Sequence, residues 1–261
     1  MGAEKDHIIW YRLRGLGLLC LCSLLFFVGA YIGNQKSITA SSTVNGRKLP
    51  IYCVKTEEKK VALTFDAAWG NDDTEKILDI LDRNSVKATF FMTGGWVNKY
   101  PKDVKKIAEK GHDLGNHSQN HKNMSQLSKE EILQEVRPVR EQVKELTGID
   151  MKLFRAPYGD YDNELIETVV SDGYLPIQWD VDSEDWKDYG VESIIQKVME
   201  HPHLGNGSII LMHNGAKYTA QALETVICRL KEKGYRLVTV SELVYRDNYH
   251  MDVEGRQIKN N

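Results

Sequence analysis

Asp66 stands at the end of an apolar, β-branched run, residues 61–65 (VALTF), and is followed by Ala67, Ala68, Trp69 and Gly70. A carboxylate delivered by a strand can take a proton from water, but a divalent cation needs further donors beside it. His117 and His121, in the run HSQNH, are spaced i and i+4. On a helical turn the two rings share a face and can hold a divalent metal through imidazole nitrogens. Taken alone, the pair fits two solvent-facing loop histidines equally well. Arg155 opens the run RAPYG, in which Pro157 fixes the backbone and Gly159 permits a sharp turn. Its guanidinium can hold a carboxylate through charge-assisted bonds, or the run is an ordinary surface turn. Residues 180–186 (DVDSEDW) bring Asp180, Asp182, Glu184 and Asp185 together ahead of Trp186. That is either a source of charged partners or a solvated acidic loop. His213 ends the buried-looking run 208–212 (SIILM), as a proton donor or as a structural histidine. His112, His201, His203 and His250 have no comparable placement.

These residues gain meaning from the elements that must carry them. Apolar runs predict strands at 61–65, 87–92, 112–115, 152–154, 174–178, 208–212 and 235–238. Amphipathic stretches predict helices at 72–83, 101–110, 128–146, 162–172, 191–200 and 218–233. Asp72 or Asp73 can cap the first helix, Ser128 with Glu131 forms a capping box, and Gly148, Gly173 and Gly234 follow helix ends. A βα alternation of this kind predicts an α/β fold, a distorted (β/α) barrel of about seven parallel strands with outer helices. In barrels the chemistry sits at the C-terminal ends of the strands. Asp66, the two histidines, Arg155, the acidic run and His213 each follow a different predicted strand.

The 261 residues carry a formal net charge of −3, and neither a basic stripe nor a glycine-rich phosphate loop is present. Nucleic acid and nucleotide are therefore not the expected partners. Residues 15–33 contain no charged side chain and follow Arg12 and Arg14. They predict a membrane-spanning anchor after a short cytoplasmic stretch, 1–14, with cleavage as a signal peptide as the alternative. Either way the bulk of the chain lies outside the cytoplasm. Residues 34–50 read as a polar linker and 51–261 as the catalytic domain. Cys20 and Cys22 fall in the apolar segment, whereas Cys53 and Cys228 could pair in an oxidising compartment.

Taken together, TFDAAWG, HSQNH, RAPYG, DSEDW and LMH resemble, in order and rough spacing, the five motifs of the polysaccharide deacetylases (the NodB homology domain, carbohydrate esterase family 4). The layout looks most like the membrane-anchored, sporulation-associated members. The resemblance implies metal-assisted hydrolysis of N-acetyl groups on the aminosugars of a cell-wall polysaccharide, peptidoglycan foremost, by a monomer. It implies Asp66 as general base, oriented by Arg155, and His213 as general acid, with Asp182 as its partner. It also implies His117 and His121 as ligands of zinc or of cobalt, manganese or nickel. The backbone N–H of Tyr158 would serve the oxyanion, and Trp186 and Leu211 would pocket the acetyl methyl. The departure is Ala67, because most members carry a second acid there as third metal ligand. Three readings stay open: Asp72 or Asp73 swings in as the ligand, the metal binds weakly through two histidines and water, or hydrolysis is lost and glycan binding kept. A small-molecule amidase on the same scaffold is a further alternative.

Overall fold

The structure, a computed structural model, describes residues 43–260. The predicted membrane anchor, most of the linker, and Cys20 and Cys22 lie outside the described residues. No helix among the described residues is long and apolar enough to cross a membrane.

A short hairpin, β1 (Thr43–Val44) with β2 (Arg47–Lys48), precedes β3 (Cys53–Val54). The main sheet then alternates with helices: β4 (Lys60–Ala67), α1 (Thr74–Arg83), β5 (Thr89–Met92), α2 (Gly94–Lys99), α3 (Pro101–Glu109) and β6 (Asp113–Asn116). It continues with α4 (Lys129–Thr147), β7 (Leu153–Phe154), α5 (Asn163–Ser171), β8 (Leu175–Pro176), β9 (Val181–Asp182) and α6 (Val191–Met199). β10 (Ile209–Asn214), α7 (Thr219–Glu232), β11 (Arg236–Val238) and α8 (Val240–Leu243) complete it. β12 (Tyr249–Met251) and β13 (Arg256–Lys259) join β3 in a separate small sheet.

All pairings in the main sheet are parallel, in the order β8-β7-β6-β5-β4-β10-β9, with β11 against the start of β4. β8 and β9 do not pair, so the expected barrel is a curled half-barrel open on one side. The seven predicted strands and six predicted helices are present, with ends moved by a residue or two. Eight elements escaped prediction because they are short: β1 and β2 inside the predicted linker, and β3, β9, β12, β13, α2 and α8. The capping box at Ser128 and Glu131 forms, and Gly148 closes α4 in the left-handed conformation (φ 76°).

The strands are buried on both faces, and the two faces separate cleanly by side-chain alternation. Val61, Leu63, Phe65 and Ala67 of β4 join the helix-facing apolar cluster, as do Phe90, Met92, Phe154, Val181, Ile210 and Met212. Ala62, Phe91, Leu153, Leu175 and Ile209 form a second cluster on the inner face of the curl. Extending that period of two places Asp66, His117, Arg155, Asp182, Leu211 and His213 on the inner face, at or just past strand ends. It places Ala67 on the other face.

Candidate active site

β4 and β10 set the centre. Their parallel register pairs Asp66 with His213 and Ala67 with Asn214. Beneath them Gly115 has no side chain, because a Cβ there would lie 2.3 Å from the Phe91 ring. That ring in turn supports Arg155, whose guanidinium carbon sits 4.1 Å from its centroid. Arg155 is fully buried. Its Nη1 donates to Asp66 Oδ1 at 2.7 Å and to Thr64 Oγ1 at 2.9 Å, and its Nη2 donates to the Gln178 carbonyl at 3.1 Å. Burial opposes ionisation of Asp66. The charges of Arg155, His117 and His213, with the Arg155 hydrogen bond, outweigh it and hold the carboxyl below its ordinary range. Asp66 is thus an ionised base with one oxygen fixed and Oδ2 turned toward His117 Nε2, 3.5 Å away.

His117 is equally constrained. Its Nδ1 lies 2.8 Å from the Arg155 carbonyl, which can only accept, so Nδ1 carries the proton and the Nε2 lone pair is free. Burial pushes its pKa down to about 4, so the ring is neutral at neutral pH. His121 lies against it with ring centroids 5.0 Å apart, and burial lowers its pKa too. The two histidines do not share a helical turn, as their spacing suggested. Residues 117–121 form a loop in which Ser118 and His121 adopt left-handed backbone (φ 66° and 55°). Its carbonyls at Ser118 and Gln119 accept from Gly94 and Gly95 at the start of α2, 3.0 and 3.2 Å. Glu135, buried on α4, accepts from the Asn120 backbone and side chain, 2.8 Å each, and pairs with Lys122 at 2.9 Å. Tertiary anchors supply what a helix would have supplied.

His213 has Asp185, not Asp182, as its bonded partner. Its Nδ1 is 2.7 Å from Asp185 Oδ1, while Asp185 Oδ2 accepts from the His213 backbone at 2.7 Å and from Thr219 Oγ1 at 2.5 Å. Asp182 instead accepts from the Glu184 N–H at 2.8 Å and adds only its charge to the imidazole. A 3-10 turn at Asp185–Lys187 carries Asp185 inward, which residue spacing could not reveal. Burial favours the neutral ring, but the hydrogen bond and charge of Asp185, with Asp66 and Asp182 behind them, raise the His213 pKa above 6.5. With Nδ1 held by Asp185, the Nε2–H is left to donate.

One pocket of about 400 Å³ is lined by Asp66, His117, His121, Asp182 and His213 together with the apolar walls Trp186 and Leu211. Tyr158 and Trp69 also border it. Tyr158 is in left-handed backbone (φ 60°), with its ring 4.6 Å from that of His121. The two aspartates considered as replacement ligands do not line it. Asp73 Oδ1 accepts from Asn214 Nδ2 at 2.6 Å and from Gly215 N at 2.9 Å, and Asp72 is exposed. Ala67 is fully buried in the helix-facing cluster. Among the described residues no group of three His, Cys, Asp or Glu side chains is placed to hold a metal ion. The free Nε2 of His117 beside His121 fits a cation bound through two imidazoles, one protein ligand short of a usual catalytic zinc site. Cys53 is buried in β3 and Cys228 exposed on α7, and both are free.

A parallel α/β half-barrel that presents an ionised carboxylate and a carboxylate-bonded imidazole across one pocket has the parts of a hydrolase-type scaffold. The profile of the polysaccharide deacetylase family matches residues 54–177. The chain is 38% identical over 195 residues to the uncharacterized protein YlxY of Bacillus subtilis, covering 75% of this chain and 60% of that one. It is 36% identical over 191 residues to a peptidoglycan-N-acetylglucosamine deacetylase of Bacillus cereus, covering 70% and 68%. Among solved structures it is similar to the wild-type BA3943 of Bacillus anthracis, described as a family 4 carbohydrate esterase pseudoenzyme. That match has a TM-score of 0.72 and 34% identity, over 81% of this chain and 73% of that one. A mutant of the same pseudoenzyme, described as having restored enzymatic activity, matches at 36% identity and the same TM-score over 76% and 71%. The chain belongs to the polysaccharide deacetylase family.

Proposed function

We propose that this domain binds an N-acetylated aminosugar polymer of the cell wall, peptidoglycan foremost, and hydrolyses its N-acetyl groups. The observation that carries this is the pairing of Asp66 and His213 on adjacent strands, with Arg155 lowering the pKa of the first and Asp185 raising that of the second. Asp66, with Oδ1 held by Arg155, accepts the proton of the attacking water at Oδ2. His213 gives its Nε2 proton to the leaving amine, and Asp185 steadies the imidazolium until that transfer. Leu211 and Trp186 exclude water around the acetyl methyl. His117 and His121 would hold a divalent cation, zinc or a similar imidazole-binding ion, which when bound polarises the acetyl carbonyl. An anchored, extracytoplasmic setting and a sporulation role belong to the same proposal and rest on residues 15–33 and the motif resemblance.

A second reading, glycan binding without hydrolysis, is favoured by Ala67 and by the likeness to a pseudoenzyme. Acetate release from N-acetylated peptidoglycan fragments, with and without added zinc, separates the two. Release that is abolished in Asp66→Asn supports the hydrolase. Retention of the fragments with no acetate released puts the binding reading in its place.

A further inference from the structure

Trp69 is a large side chain lining this site that the chemistry above leaves unused. It is 49% exposed at the border of the pocket, as are Trp186 at 50% and Tyr158 at 68%. One face of its indole is occupied. It stacks on the His213 imidazole with centroids 5.2 Å apart and planes 22° from parallel. The exposure therefore belongs to the opposite face and the ring edge.

The backbone around Trp69 is built to keep it there. Gly70 O accepts from Trp96 Nε1 at 3.1 Å, tying the loop to α2. On the other side Gly215 (φ 90°) approaches so closely that a Cβ there would stand 3.1 Å from Gly70 N and 3.5 Å from Trp69 Cβ. Asp73 closes the same seam by accepting from Asn214 and Gly215. An indole on a loop fixed at Gly70 and Gly215, with one face stacked on the His213 imidazole and the other open to the cleft, is a fixed platform and not a loose surface residue. The opposite flank of the pocket carries a matching exposed ring, Tyr158, at 68%. Pyranose rings present axial C–H faces that pack on such platforms, whereas small acyl amides do not extend that far from the reacting carbon.

We propose that Trp69 is a positioning and specificity residue. Its outer face stacks on a sugar ring of the bound glycan, while its inner face holds the His213 imidazole in line with the leaving nitrogen. This rests on the glycan reading above and adds to it that engagement of the sugar and alignment of the acid are one event.

The test is calorimetric titration of the full-length chain and of Trp69→Ala and Trp69→Phe with N-acetylglucosamine tetramer, alongside thermal unfolding of each. The expected result is binding weakened roughly tenfold in Trp69→Ala, the size of a 1.4 kcal/mol contact. Trp69→Phe is expected to restore affinity to within about threefold of the parent, with melting temperatures unchanged. Parent-like affinity in Trp69→Ala overturns the inference and leaves the glycan reading intact. Equal loss in Trp69→Phe overturns the stacking role. Absence of tetramer binding by the parent chain itself overturns the glycan reading, and this inference with it.

Discussion

The two sides of the pocket are finished to different degrees. On the His213 side the acid is bonded from several directions: Asp185 satisfies both the ring Nδ1 and the backbone, Thr219 donates to Asp185, and Trp69 covers the imidazole. On the histidine-pair side the His117 ring faces Asp66 Oδ2 with His121 packed against it, and the residue after Asp66 is a buried alanine. The contrast also shows in the charges, since His213 is tuned toward protonation and His117 away from it. The half around His213 is tied to a carboxylate, while the half around His117 offers two imidazoles without one of its own. Asp73, which could have served the second half, is spent on stitching the first half together.

The comparison is broken most severely at the point both sides share. Arg155→Ala leaves the buried Asp66 charge unpaired and is expected to cost about 3–5 kcal/mol, measured by denaturant unfolding. A loss below about 1 kcal/mol would show that Asp66 does not depend on that guanidinium.

Ala67→Asp should narrow the difference from the weaker side. In chelator, the new buried carboxylate is expected to lower stability by about 3 kcal/mol. Zinc should then restore much of that loss and bind at least about a hundredfold more tightly than to the parent, roughly 2.7 kcal/mol. Calorimetry and melting curves with and without zinc read both effects. Zinc affinity equal to the parent's would show that a carboxylate on the helix-facing side of β4 does not reach the imidazoles.

Gly94→Ala acts on the loop between the two histidines. The added methyl would lie 2.0 Å from the end of the Gln119 side chain, which must turn aside within the loop, at an expected cost of about 1–2 kcal/mol. The His121 side-chain resonances are expected to move while those of His213 stay, which heteronuclear NMR would show.

The smallest effect concerns pH. The raised pKa of His213 contributes stability that is present below its unfolded value of 6.5 and is lost as pH rises through the folded value. The lowered pKa of His117 works oppositely: stability is present above 6.5 and is lost as pH falls from there toward about 4. Stability should therefore peak near neutrality. Asp185→Asn should remove the decline on the alkaline side, costing about 1–1.5 kcal/mol at pH 6, while the acid-side decline persists. Unfolding measured at several pH values tests this, and an unchanged alkaline limb would remove His213 as its source.

Much of this architecture is legible in the residues themselves. The alternation of β4, VALTFDA, already separates Ala62, Thr64 and Asp66 from Val61, Leu63, Phe65 and Ala67, because side chains in a strand repeat every two residues. The same rule puts Leu211 and His213 on one face of β10, and the order of strands follows from the βα repeat. The sequence by itself thus determined which residues reach the inner face at the strand ends, and that Ala67 stands where the family it resembles carries a second acid. Only the tertiary structure decided who partners whom. Asp185 rather than Asp182 holds His213 because a turn carries it inward, and Asp73 is bound to Asn214 and Gly215 across 141 and 142 residues of chain. His117 and His121 meet through a loop pinned by Gly94, Gly95 and Glu135, not through a helix. Strand periodicity is local and is written in neighbouring residues. Hydrogen-bond partners are settled by which distant segments the curl of the sheet brings within about 3 Å.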